Sequence, residues 1–193
     1  MDGVWVIVGL GNPGPSYAHT LHNVGYVVCD VLADRLGSGW RSHKSGRAQV
    51  VEGRLPPLPG PRVVLGRARS YMNDSGGPVA GLLAFYKVPA ERLIVVHDEI
   101  DLPSGSIRVK FGGGDNGHNG LRSVRASLGT GDYYRVRVGV GRPGDRRSAA
   151  DHVLAALSAR ERDALLLESQ RAADAVECLV TDGLAFTQQK FNS

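Results

Sequence analysis

The run Leu93-Ile94-Val95-Val96 is short, apolar and β-branched, which predicts a buried strand, and it ends in the ionisable triplet His97-Asp98-Glu99. Downstream, Ile107, Val109 and Phe111 alternate with Arg108 and Lys110, giving a strand with one apolar and one basic face. Tyr134 to Gly141 repeats that design, with valines on one side and Arg135 and Arg137 on the other. Earlier strands are predicted over Val4 to Val8, Ala48 to Gly53 and Arg62 to Leu65, the last two joined by the proline-rich Leu55 to Pro61. Helical periods separate the strands. One runs through Val24, Val27, Val28, Val31 and Leu32 to a stop at Gly37; another uses Val79, Leu82, Leu83, Phe85 and Tyr86; a third spans about Leu121 to Leu128. Asn23, Asn73 or Asp74, and Asn119 read as caps for these helices. Residues 38 to 47 read as a polar, basic loop. From Ser148 onward the chain reads as helical. A Ser158–Glu161 capping box starts a buried stripe of Leu165, Leu166, Ser169, Ala172, Ala173, Val176 and Leu179; Gly183 ends it, leaving a short last turn.

Strands alternating with helices make an α/β fold, and ligands in such folds bind where central strands end. The 193 residues, 42% of them hydrophobic, suffice for one sizeable core and are marginal for two domains. Cys29 and Cys178 lie far apart and form no metal spacing, which fits a reducing cytoplasm. The first apolar run lacks a preceding basic region and is too short for a signal or a membrane span, so a soluble protein is expected. A net charge of +4 leans mildly towards an anionic partner. Arg108, Lys110, Arg135, Arg137, Arg142, Arg146 and Arg147 could form a phosphate-contacting patch or merely a solvated sheet edge, and the pattern does not separate the two.

Two motifs mislead. Gly9-Leu10-Gly11-Asn12-Pro13-Gly14 matches a dinucleotide fingerprint, but Pro13 and Pro15 stand where a helix should present N–H groups, and the expected downstream acid is missing. Asp74-Ser75-Gly76-Gly77-Pro78 resembles the nucleophile segment of trypsin-type proteases, which are all-β, whereas this chain has clear helical periods. No serine, cysteine or lysine has a nucleophile's setting. Asp98, Glu99 and Asp101 could bind magnesium, although such a run usually serves turn chemistry. What remains at the strand exits is histidine, asparagine and one carboxylate: Asn12, His22, Asn23, His97, Asp98 and the glycine loop Gly112 to Gly120 with His118 and Asn119. Such a set suits water activation on an ester, with a neutral histidine as base, a carboxylate fixing its tautomer and amide N–H₂ groups at the oxyanion. Residue types alone do not choose among the histidines.

These residues also carry a resemblance. Val8 to Gly14 with Tyr17, Thr20, His22 and Asn23, then Tyr71-Met72-Asn73, His97 to Pro103, Gly112 to Gly120 and Arg137 to Gly144 together resemble bacterial-type peptidyl-tRNA hydrolase, in order over nearly the whole chain. The resemblance implies one three-layer α/β domain over residues 1–193, with a twisted mixed β-sheet flanked by helices. It further implies a metal-independent, cofactor-free, cytoplasmic monomer that cleaves the ester joining a peptide to tRNA. His22 would be the general base, Asp98 its orienter, and Asn12, Asn73 and Asn119 would position the ester and the peptide. Tyr17, Tyr71, Met72 and His118 would line the cleft, and Lys110 and Arg137 would clamp the tRNA 5′-phosphate. The chain departs from the family's usual pattern at Leu21, where arginine is common, at Arg67-Ala68-Arg69-Ser70 and at Asp115-Asn116. The alternatives are a catalytically idle RNA-binding factor on the same fold and a nucleotide-dependent enzyme using Gly9 to Gly14.

Overall fold

The computed structural model describes residues 3–192. In chain order the elements are β1 (Trp5–Gly9), α1 (Val24–Leu36), β2 (Arg41–Ser42), β3 (Ala48–Arg54), β4 (Arg62–Ala68), α2 (Gly76–Tyr86), β5 (Leu93–Glu99), β6 (Ile107–Phe111), α3 (Asn119–Leu128), β7 (Tyr134–Gly139), α4 (Ala149–Leu154), α5 (Ala159–Asp182) and α6 (Leu184–Phe191). The strands form a seven-stranded mixed sheet in the order β2-β3-β4-β1-β5-β7-β6. Its centre, β4-β1-β5-β7, is parallel, and antiparallel pairs close both flanks.

Helices cover both faces, giving the expected three layers. Ile7, Ile94, Val96, Val136 and Val138 pack with Val28 and Leu32 of α1 and Ala172 and Val176 of α5. Val6, Val8, Leu93 and Val95 face the other way, onto Val79 and Leu82 of α2 and Leu121 and Val124 of α3. Burial on both sides is why β1 and β5 read as continuous apolar runs.

Several predicted details change. β5 continues through His97, Asp98 and Glu99, since all three are buried. The loop after α1 contains the two-residue strand β2. Leu166 is 44% exposed because Leu165, one position earlier, takes the sheet-facing direction on α5. Phe111 is 39% exposed at the end of β6, where its ring meets the edge of Tyr134. The tail is the eight-residue helix α6, and it shields the edge strand β6. Asn192 accepts the Val109 N–H at 2.7 Å and donates to the Val109 carbonyl at 3.1 Å, imitating a neighbouring strand at that point.

The approach of α1 to the sheet positions the site. A Cβ on Gly25 would lie 2.5 Å from both Leu10 N and Val96 O, and one on Gly9 would lie 2.1 Å from Gly25 O. Only glycine lets the first turn of α1 press onto the exits of β1 and β5. That contact brings His22, just ahead of α1, to Asp98 at the end of β5.

Candidate active site

His22 sits in the 3₁₀ turn Leu21–Asn23, and its Nδ1 lies 2.8 Å from Asp98 Oδ2. His118 caps α3: its Nδ1 accepts the N–H groups of Gly120 at 3.1 Å and Leu121 at 3.3 Å. That cap leaves the His118 proton on Nε2, which donates to Asp98 Oδ1 at 2.8 Å. Asp98 is buried. Burial alone would raise its pKa, but His118 and then His22 outweigh it and hold the carboxyl well below the ordinary range. An ionised carboxylate has no proton to give, so the His22 proton lies on Nδ1. Neutral His22 therefore offers its Nε2 lone pair, and the residue lines a cleft of about 520 Å³.

Asn12, Tyr17, Tyr71, Met72, Asn73, His118 and Asn119 line the same cleft, so the structure gathers most of the sequence-predicted site around His22. Asn23 does not cap α1; its side chain accepts the Asn12 N–H at 2.8 Å and donates to the Asn12 carbonyl at 2.9 Å, clasping that loop. Asn12 Oδ1 in turn accepts the Met72 N–H at 2.7 Å, leaving its Nδ2 hydrogens without a partner among the described residues. Met72 is the buried floor, and Gly120 makes room for it, since a Cβ there would stand 2.5 Å from Met72 Sδ. Tyr17 and Tyr71 meet edge to face at the rim. Neither Asn73 nor Asp74 caps α2, whose first N–H at Gly76 instead bonds Ser123 Oγ from α3 at 2.9 Å. Asn119 is likewise displaced from the cap by His118 and stays exposed. Ala149, Ala150, Val153 and Leu154 of α4, with Ile100, add an apolar wall that the sequence did not assign. The Ser148 cap and the Val153-Leu154 pair signal a short amphipathic helix, but not which neighbour its apolar side meets.

The basic residues divide by burial. Arg135 is 1% exposed and lies beneath the glycine loop, donating to the carbonyls of Gly113 at 2.7 Å and Gly131 at 3.3 Å and to that of Gly114. It is thus neither a phosphate contact nor a solvated edge charge. Arg137 and Lys110 stand just outside the cleft lining, behind Glu99. Arg137 Nη2 is 3.0 Å from Glu99 Oε1, and Glu99 Oε2 accepts from Asn116 Nδ2 at 3.2 Å. Asp101 pairs with Arg142 and also takes the Asn116 amide. Asp98, Glu99 and Asp101 therefore turn to different partners, the histidine pair, Arg137 and Arg142, and do not converge as magnesium ligands.

His97 sits behind the site and out of the cleft. Burial first, and then the neighbouring His118, push its pKa from the usual 6.5 down to about 3. Cys29 is also sealed off, with its thiol pushed up to about 12 by burial. The His97 shift has a measurable consequence. Below pH 6.5 the unfolded chain takes up a proton that folded His97 refuses. Its contribution is thus complete above pH 6.5 and is lost as pH falls towards 3, at about 1.4 kcal/mol per unit. Asp98 adds its own loss only below the ordinary carboxylate pKa. Urea unfolding at pH 7 and pH 5 should show the native chain about 2 kcal/mol less stable at pH 5. The difference should shrink in His97→Gln. An unchanged slope in the variant would assign the acid sensitivity to other groups.

Among the described residues, His22, Asp98 and His118 are close enough to hold a metal ion. Their facing atoms, however, already satisfy one another as hydrogen-bond partners. Ligation through His118 Nε2 would move its proton to Nδ1, against the two N–H groups that it caps. The donor set fits a proton-handling chain better than a metal centre.

Comparison with known proteins shows one family over nearly the whole chain. The family model described as peptidyl-tRNA hydrolase matches residues 6–193. A peptidyl-tRNA hydrolase from Frankia alni is 55% identical over 192 residues, covering 100% of this chain and 95% of its own. One from Streptomyces coelicolor is 54% identical, covering 98% and 95%. The crystal structure of peptidyl-tRNA hydrolase from Acinetobacter baumannii superposes with a TM-score of 0.89 at 33% identity, covering 100% of this chain and 96% of that one.

Proposed function

The chain belongs to the peptidyl-tRNA hydrolase family and is an enzyme of that class, and from this premise we propose how it works and on what. Neutral His22 takes a proton from water through Nε2, and the resulting hydroxide attacks the carbonyl of the ester joining a peptide to the terminal ribose of tRNA. Asp98 holds the His22 tautomer and stabilises the imidazolium that forms. The free Nδ2 hydrogens of Asn12 face the developing oxyanion, while Asn73 and Asn119 position the peptide main chain. Collapse of the tetrahedral intermediate expels the ribose oxygen, which takes the proton back from His22. The observation that carries this reading is the His22–Asp98–His118 chain of hydrogen bonds, closed at one end by the α3 cap and open at His22 Nε2. The same proton placement supports a reaction without a metal. Leu21 packs against the core, and His22 takes its support from Asp98, so the missing arginine leaves the base oriented.

Tyr17, Tyr71, Met72 and the α4 wall receive the peptide side. Lys110 and Arg137 receive the 5′-phosphate of the acceptor stem, beyond Glu99 from the reacting centre. No helix of the described residues is long and apolar enough to cross a membrane. We place the enzyme in the cytoplasm as a monomer acting on peptidyl-tRNA freed from ribosomes.

The test is release of N-acetylamino acid from N-acetylaminoacyl-tRNA, with free aminoacyl-tRNA as the substrate to be spared. Folded protein that binds tRNA without cleaving it would be an idle RNA-binding factor instead. Lys110→Ala should raise KM about tenfold for substrate carrying a 5′-phosphate, from the loss of one charge-assisted contact, and should leave 5′-hydroxyl substrate nearly unchanged. Equal losses on both substrates would remove the clamp assignment.

A further inference from the structure

Lys110 and Arg137 lie on one face of neighbouring strands, where the register sets Lys110 opposite Arg135 and Arg108 opposite Arg137. Like charges so placed repel. Burial, then Arg137 and Arg135, pull the Lys110 ammonium below its ordinary pKa, and the anion that opposes them is Glu99. Glu99 reaches this corner from β5 and is itself 6% exposed. Its Oε1 takes both Arg137 Nη2 at 3.0 Å and Nε at 3.3 Å. Its Oε2 is tied to Asn116 at 3.2 Å, and Asn116 is in turn tied to Asp101. One edge of the guanidinium is therefore fixed before any ligand arrives.

We propose that Glu99 is a positioning residue for phosphate recognition: it holds Arg137 aimed, on the face that it shares with Lys110, while no phosphate is bound. The proposal rests on reading those two cations as the 5′-phosphate clamp. Without the carboxylate, the guanidinium swings away from Lys110 towards solvent, and phosphate binding must then order it again, which weakens the grip. Asn116 belongs to the device because it anchors the far oxygen of Glu99. It does so from a left-handed conformation, φ 51°, that asparagine tolerates better than most side chains.

The experiment compares kcat/KM for N-acetylaminoacyl-tRNA with a 5′-phosphate and the same tRNA dephosphorylated, in the native chain and in Glu99→Gln. The ratio of the two substrates cancels any loss of folded protein. The preference for 5′-phosphate should shrink about two- to tenfold in Glu99→Gln, through a higher KM for the phosphorylated substrate. Should that variant not fold, Asn116→Gly keeps the ion pair, frees its anchor and should shift the ratio in the same direction. An unchanged ratio overturns the proposal, because a purely structural ion pair would affect both substrates alike. A tighter KM for phosphorylated substrate also overturns it, by making Glu99 a competing anion. Absence of any 5′-phosphate preference in the native chain removes the clamp reading and the proposal together.

Discussion

His22→Ala is expected to lower kcat on N-acetylaminoacyl-tRNA by about 10²–10⁴-fold, the usual contribution of a positioned general base, while tRNA binding changes little. The prediction rests on where protons sit. Asp98 accepts from both of its histidines, the α3 cap locks His118 with its proton on Nε2, and the unprotonated nitrogen facing the cleft belongs to His22. Alanine removes that lone pair and one of the two Asp98 contacts. The remaining bond to His118 keeps the buried carboxylate partnered, so the variant should fold with a stability loss of about 1.5–3 kcal/mol, readable by urea unfolding. Single-turnover hydrolysis and tRNA affinity, measured on the same preparation, separate chemistry from binding. Cleavage surviving at the native rate would move the base to His118, since His97 is fully buried behind it.

Asp98→Asn should be at least as damaging, about 10³–10⁴-fold in kcat with KM little altered, although the replacement is almost isosteric. The helix cap makes the outcome specific. His118 must go on donating from Nε2, because Gly120 and Leu121 occupy its Nδ1. The new amide therefore turns its oxygen to His118 and its N–H₂ to His22. His22 must then accept at Nδ1 and carry its proton on Nε2, the wrong tautomer for taking a proton from water. Nitrogen-15 NMR of the His22 ring should show that exchange directly. A raised KM at unchanged kcat would mean instead that Asp98 serves substrate binding.

Arg135 and Arg137 show how far a repeating pattern reaches. Their two-residue spacing put them on one face, and the structure agrees, yet it buries one under loop carbonyls and pairs the other with Glu99. Periodicity reports direction, and burial depends on what the rest of the chain lays over that direction. The caps went wrong for a similar reason. Asn23, Asn73 and Asn119 all stand where a cap could be, but whether an asparagine side chain caps depends on which groups the fold brings beside that helix end. For Asn23 that is the Asn12 loop, eleven residues away. The α4 wall of the cleft was equally invisible, since a short capped helix carries no mark of its neighbour.

By itself the sequence determined the alternation of strands and helices, the positions of several apolar stripes that turn to the core, and the placing of histidine, asparagine and carboxylate at strand exits. Those features follow from local spacing, which the backbone geometry of strands and helices reads directly. Only the tertiary structure sets the three histidines apart by their surroundings, and that difference is what supports His22 as the proposed base. His22, His97 and His118 are equivalent as residues and differ only in what the fold offers each ring nitrogen: a carboxylate and a cleft, a sealed interior, or the N-terminus of a helix. Proton position depends on contacts between segments as far apart as residues 22, 98 and 118, and no local pattern carries those contacts.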